Sequence, residues 1–199
     1  MKKLPLIILL FAAAACSSPN DTPGVSVSPK AKTDSIAVST KGIGDLKIGM
    51  KKETVEKLLK HKVATPNLSV DSPAIYRDTV TCTYKGEDYT LVFAKQWQEA
   101  DTDSANIIKL SQVSSRSLLL KTPSGIGIGD DLCKIVSTYK DDRLNISPVY
   151  DYTKEPWVRI KGKSEVWLTL SELELDKRMV FYMTDNKIEG MSVAFFESE

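Results

Sequence analysis

The chain has 199 residues, with 27 basic against 26 acidic side chains and a formal net charge of +1. A balanced charge gives no electrostatic footprint for nucleic acid, which is expected as no partner here. Beyond the N-terminus, no apolar run approaches the ~20 residues of a membrane-spanning helix.

Met1-Lys2-Lys3 leads into an apolar stretch from Leu4 to Ala15. Two lysines before a short apolar run have the form of a secretory signal. Ala13-Ala14-Ala15 then places small residues directly before Cys16. This segment resembles the signal of bacterial lipoproteins, whose lipobox ends in small residues and a cysteine. It departs at Ala13, where such boxes often carry Leu. The resemblance implies cleavage before Cys16 and a thioether-linked diacylglycerol on its sulfur, making membrane lipid a partner through Cys16. Acyl chains contribute roughly 0.8 kcal/mol per buried CH₂, so two or three chains anchor stably. An ordinary secretory signal is the alternative, since a small-residue cleavage site fits it too. Ser17 stands where an Asp would favour retention in the inner membrane, so the expected location is the outer membrane, on its periplasmic or surface face. Loss of residues 1–15 removes Lys2 and Lys3, leaving 25 basic against 26 acidic residues and a net charge of −1.

Residues 16–40 are rich in Ser, Pro, Thr and Asp and poor in large apolar side chains. Such a segment buries too little surface to fold and reads as a flexible, disordered tether. The expected folded part is then 41–199.

Within it, Ile48-Gly49-Met50 through Val55 returns as Ile128-Gly129-Asp130 through Ile135, 80 residues later. Gly42-Ile43-Gly44 is echoed by Gly125-Ile126-Gly127, Ser72-Pro73 by Ser147-Pro148, and Asn106 by Asn186. Several matches in one order argue for two copies, 41–120 and 121–199. Each opens on an extended Gly-Ile-Gly piece. A helix follows, with Met50, Val55, Leu58 and Leu59 on one apolar face and Leu132, Ile135, Val136 and Tyr139 on the other. A polar loop with Pro66 or Pro148 comes next. Strands are expected at Thr79–Tyr84, Tyr89–Phe93 and Ile107–Val113, and then at Trp157–Ile160, Val166–Leu170, Met179–Met183 and Lys187–Phe196. The fold class is therefore α+β: two tandem helix-plus-antiparallel-sheet repeats behind a disordered tether.

The Ile-Gly-Met-x-x-x-x-Val pattern resembles the small outer-membrane lipoproteins of the BamE (SmpA/OmlA) type. The tandem layout is similar to the β-lactamase inhibitory protein fold, and so to BLIP-like periplasmic lipoproteins. In residues the likeness rests on Ile48-Gly49 and Ile128-Gly129, and the second copy departs at Asp130. The resemblance implies a non-enzymatic envelope module that contacts another envelope protein. It places no partner-binding residue on this chain.

The glycines before each helix permit a positive φ or tight packing. Anion binding at a helix N-terminus is the functional alternative, but the lysine and hydroxyl of a phosphate loop are missing. The single histidine, His61, reads as a cation at a helix C-terminus, without a triad around it. No Gly-x-Ser-x-Gly occurs. The expectation is no enzyme, no metal and no cofactor. The acidic run Glu99–Ser104 lacks the Gly and distant Glu of a calcium loop. Glu172, Glu174 and Asp176 alternate as on a strand edge, where charges deter pairing.

Cys82 and Cys133 are a candidate disulfide in an oxidising compartment, and each also reads as a small buried hydrophobe. Tyr150, Tyr152 and Trp157, in a stretch of aromatics and charges, are candidate partner-binding residues, as is Trp97. The alternative is that Tyr150 and Trp157 cap the second copy's sheet. Two functions stay open: protein binding or assembly, and small-ligand or glycan binding through a groove between the copies or the Tyr150–Trp157 loop.

Overall fold

Long runs of period-2 alternation dominate the described part of the chain, and they become strands. The computed structural model describes residues 34–66, 68, 77–95, 107–169 and 177–195, all within the unit Thr33–Glu199. Strand takes 56% of these residues and helix 11%, so the fold is mostly β.

The elements in chain order are β1 (Ile36–Ser39), β2 (Gly42–Ile43), β3 (Leu46–Lys47), α1 (Lys52–Leu59), β4 (Arg77–Tyr84), β5 (Glu87–Lys95), β6 (Ile108–Ser115), β7 (Leu120–Lys121), α2 (Leu132–Thr138), β8 (Arg143–Asp151), β9 (Val158–Thr169), β10 (Lys177–Thr184) and β11 (Lys187–Phe195). They form a four-stranded sheet, β3-β2-β1-β7, and a seven-stranded sheet, β4-β5-β6-β11-β10-β9-β8.

This corrects the expectation of an α+β fold made of two tandem helix-plus-antiparallel-sheet repeats. The strands of both halves join one antiparallel sheet through β6 and β11, with Ser114 opposite Ser192 and Val113 opposite Val193. Ser147-Pro148, expected in a loop, lies within β8 at the sheet's edge. Proline is tolerated there because one side of an edge strand has no ladder to break. The folded part also begins before residue 41, since Ile36–Ser39 pairs with β2 and, in parallel, with β7. Residues 16–33, including Cys16, lie outside the described residues.

The hairpins turn where both central residues take positive φ, at Lys85-Gly86 and Asp185-Asn186. That geometry matches the right-handed twist of the flanking strands. Along β5, Tyr89, Leu91 and Phe93 point inward; along β10, Met179, Phe181 and Met183 do. They share one core with Val55 and Leu59 of α1, Ile135 of α2, and Val38, Ile43 and Leu46 of the small sheet. Helices and small sheet therefore lie on the same face of the large sheet. Val136 faces solvent rather than the expected apolar face of α2.

The two Ile-Gly helix starts dock alike. The Gly49 N–H donates to Leu110 O on β6, and the Leu110 N–H donates back to Met50 O, both at 2.8 Å. The Gly129 N–H donates to Ile188 O on β11, and the Ile188 N–H donates to Asp130 O, both at 2.9 Å. Gly49 (φ 85°) and Gly129 (φ 88°) hold a left-handed backbone that a side chain would strain.

Candidate functional site

Alternation that sends one set of side chains into the core sends the other to the opposite face. On β4, Val80 and Cys82 pack against the core while Thr79, Thr81 and Thr83 face away. Cross-strand partners share a face, so Val92, Thr90 and Asp88 of β5 stand beside these threonines. Gln112 and Ser114 of β6 follow, then Ser192 of β11, Tyr182 of β10 and Glu165 of β9. All of these but Ser192, which is fully buried, line a groove of about 910 Å³ that crosses the large sheet.

Hydrogen bonds fix its floor. Gln112 Nε2 donates to Ser192 Oγ at 3.0 Å and lies 3.4 Å from Tyr182 Oη. Burial pushes the Tyr182 phenol above its ordinary pKa, so it remains a neutral hydroxyl in the physiological range. At one end Glu189 faces two cations, Arg116 at 3.6 Å and Lys163 at 3.8 Å. Trp167 Nε1 donates to Glu165 Oε2 at 2.9 Å, and the Arg178 guanidinium lies 5.5 Å from the centre of the indole. The lining thus offers hydroxyls, an amide and paired charges held in place by neighbours.

The candidate residues from the sequence fall elsewhere. Tyr150 ends β8, and Tyr152 and Trp157 flank the turn into β9. Their rings form a chain, with centroids 6.3 Å apart for Tyr150–Tyr152 and 5.1 Å, edge to face, for Tyr152–Trp157. They do not cap the sheet: Tyr152 is 66% and Trp157 64% exposed. Asp151 orders the turn by accepting from the Thr153 hydroxyl and N–H. Those bonds, with the nearby Lys154, hold its carboxyl below the usual range. Trp97, the acidic run 99–104, Glu172, Glu174 and Asp176 lie outside the described residues.

No disulfide joins Cys82 and Cys133. Cys82 sits half-buried on β4, where desolvation, then the nearby Asp88, raises its thiol pKa. Cys133 is exposed on α2. His61 follows α1, with Nδ1 3.1 Å from Leu59 O. The glycine-rich segment before α2 spends its N–H groups internally, that of Gly127 on Asp130 Oδ2 and that of Gly125 on Thr122 O. Neither is directed at a ligand. Among the described residues, no group of three or more His, Cys, Asp or Glu side chains could hold a metal ion.

The groove was missed in the sequence because each strand's outward residues look like an ordinary solvated face. Thr79-x-Thr81-x-Thr83 was the available signal, but its assembly with Gln112, Tyr182 and Ser192 depends on pairings across 70 to 80 residues of sequence. Comparison with protein-family models, curated proteins and solved structures returned no match.

Proposed function

We propose that the chain is a non-enzymatic, lipid-anchored lipoprotein of the bacterial envelope that binds a second envelope protein across the open face of its large sheet. The observation that carries this reading is a groove that, among the described residues, lies open and continuous from β4 to β9 and is lined by hydrogen-bonding side chains. Small-molecule pockets are usually concave and mostly apolar, with few polar groups. This lining is open and mixes hydrogen-bonding side chains with apolar surface in near-equal measure, which suits a partner's loop or strand. Glycan binding is the second reading, favoured by Tyr182 among the groove's hydroxyls and by Trp167 beside Glu165 on β9. Stacking of a sugar on Trp167 is opposed by Arg178, which already lies over the ring. Cys16 supplies the anchor in this proposal, on the strength of the signal that precedes it.

A photoreactive side chain at Thr90, in the groove, is expected to form a discrete adduct with one envelope protein. The same group at Lys57, on the exposed side of α1, is expected not to. Ser114→Lys should remove the Thr90 adduct. No adduct at Thr90, or the same adduct at both positions, would count against the proposal. Mass measurement of the N-terminal peptide tests acylation of Cys16 independently.

A further inference from the structure

The β8–β9 hairpin outruns its sheet. β10 pairs with β9 only over Lys163–Leu168, whereas β9 begins at Val158. Gly162, with φ 76°, still accepts from the Asp185 N–H at 2.8 Å, and the four residues Val158–Lys161 carry this two-stranded arm about 13 Å beyond it. β8 accompanies it, with Tyr150 opposite Arg159 and Asp151 opposite Val158.

The arm is apolar where a soluble hairpin would be polar. Tyr152 and Trp157 flank its turn, Val158 is 47% exposed, and Tyr150 and Ile160 are each 36% exposed. Exposed apolar clusters of this kind mark contact sites. Their distribution narrows the kind of contact. Val158 and Ile160 share one face, while Tyr150, paired with Arg159, lies on the other. A protein surface docking against a ribbon covers one face. A medium entered end-on surrounds both.

The charges point the same way. Between residues 150 and 162, Lys154, Arg159 and Lys161 stand against Asp151 and Glu155. Asp151 is taken up by Lys154 at 3.3 Å. Among the described residues, no ion pair forms at Arg159 or Lys161, which alternate with Val158 and Ile160 along β9. Tyr and Trp with apolar bodies and polar tips are the side chains that occupy the headgroup layer of a bilayer. Lys and Arg beside them complement anionic headgroups, and their stems follow the apolar surface while the charge stays in water.

We infer that the β8–β9 arm enters the interfacial layer of an anionic lipid bilayer, with Tyr152 and Trp157 leading and Arg159 and Lys161 at the headgroups. The inference rests on the chain being held at a membrane by Cys16. The arm would then be a second attachment point that fixes how the groove faces the envelope space.

The test mixes the mature chain, isolated from membranes, with vesicles of phosphatidylcholine alone or with phosphatidylglycerol, prepared with and without brominated acyl chains. Flotation reads the anchor, and bromine quenching of tryptophan fluorescence reads the arm. The expected result is quenching that is stronger with phosphatidylglycerol and disappears in Trp157→Ala, while that variant still floats. Arg159→Gln and Lys161→Gln should each lower the arm's insertion equilibrium constant roughly fivefold on anionic vesicles. Tyr152→Ser should weaken quenching with Trp157 retained. Flotation without quenching, or equal quenching in wild type and Trp157→Ala, overturns the inference and leaves the anchor standing. Loss of both signals overturns both readings. An envelope crosslink from the arm with no vesicle quenching assigns it to a protein partner instead and overturns the bilayer assignment.

Discussion

Glu56 is a carboxylate in the core layer of an otherwise apolar helix face, and its replacement separates a hydrogen bond from a charge. Its side chain is only 9% exposed. Oε1 accepts from the buried Val63 N–H at 2.9 Å, and Oε2 accepts from Lys62 Nζ at 3.1 Å. The first bond ties the chain leaving α1 back to the helix. Glu56→Ala leaves the Val63 N–H without that acceptor, which costs about 1–3 kcal/mol. In a domain of this size that lowers Tm by roughly 4–8 °C for a mid-range loss of about 2 kcal/mol. Glu56→Gln keeps an oxygen for Val63 and loses only the charge. Lys62 is 90% exposed and Lys52, 19% exposed, lies 3.7 Å from Oε1 at i, i+4 spacing, so the two attractions together add about 0.5–1 kcal/mol. The glutamine variant should therefore lose less than about 1 kcal/mol. The bond from Val63 holds the Glu56 carboxyl below its ordinary 4.5, against the opposing effect of burial, with Lys62 assisting. A depressed folded pKa contributes stability that is complete above the unfolded value and is lost as pH falls through the folded one. Urea unfolding from pH 7 to pH 3 should show the wild type converging on Glu56→Gln below about pH 4.5. Equal losses for Gln and Ala at pH 7, or parallel pH profiles for wild type and Gln, would refute this account.

Three further substitutions probe other parts of the framework, each read by urea or thermal unfolding. Asp131 caps α2 by accepting from the Lys134 N–H at 2.8 Å, so Asp131→Ala should cost about 1 kcal/mol and Asp131→Asn much less. At Gly42, with φ 145°, an added Cβ would lie 2.1 Å from Leu46 O, so Gly42→Ala should cost well over about 1 kcal/mol and disturb the β2–β3 pairing. Phe181 is fully buried with its ring 6.3 Å from that of Tyr139, so Phe181→Ala should cost about 3–5 kcal/mol and Phe181→Leu clearly less.

What could be read from the sequence was local. Thr79–Tyr84 and Tyr89–Phe93 were legible as a hairpin because their alternation brackets Lys85-Gly86, and β10 and β11 likewise bracket Asp185-Asn186. β8 was not, because Asn145, Ser147 and Pro148 have the composition of a loop, and only the pairing of Ile146 with Val166 makes them a strand. β1 reads as tether for a similar reason. Its Ser and Thr neighbours match linker composition, and Val38 becomes core only when β7, more than 80 residues away in sequence, supplies a parallel partner. The aromatic cluster at Tyr150–Trp157 could be singled out by composition. Its projection beyond β10 could not, since that depends on where another strand stops.

The internal echo in the sequence was real at one level and misleading at another. Gly49 and Gly129 repeat because each helix start must lay its backbone against a strand, β6 in one case and β11 in the other, with matching hydrogen bonds. Those two strands are also the ones that pair, through Val113 with Val193. A motif that docks each helix on the same side of adjacent strands puts both helices on one face of a joint sheet. The other face is then continuous across the seam, and among the described residues the groove lies open on it. Had the halves closed as separate sheets, Gln112 of one and Tyr182 and Ser192 of the other would not meet, and no floor would span them. The groove is thus a consequence of the β6–β11 seam rather than a property of either half. On that side of the seam Gln112 and Ser114 reach the groove while the buried Ser192 holds Gln112 in place, so binding and fold specification are most tightly joined there.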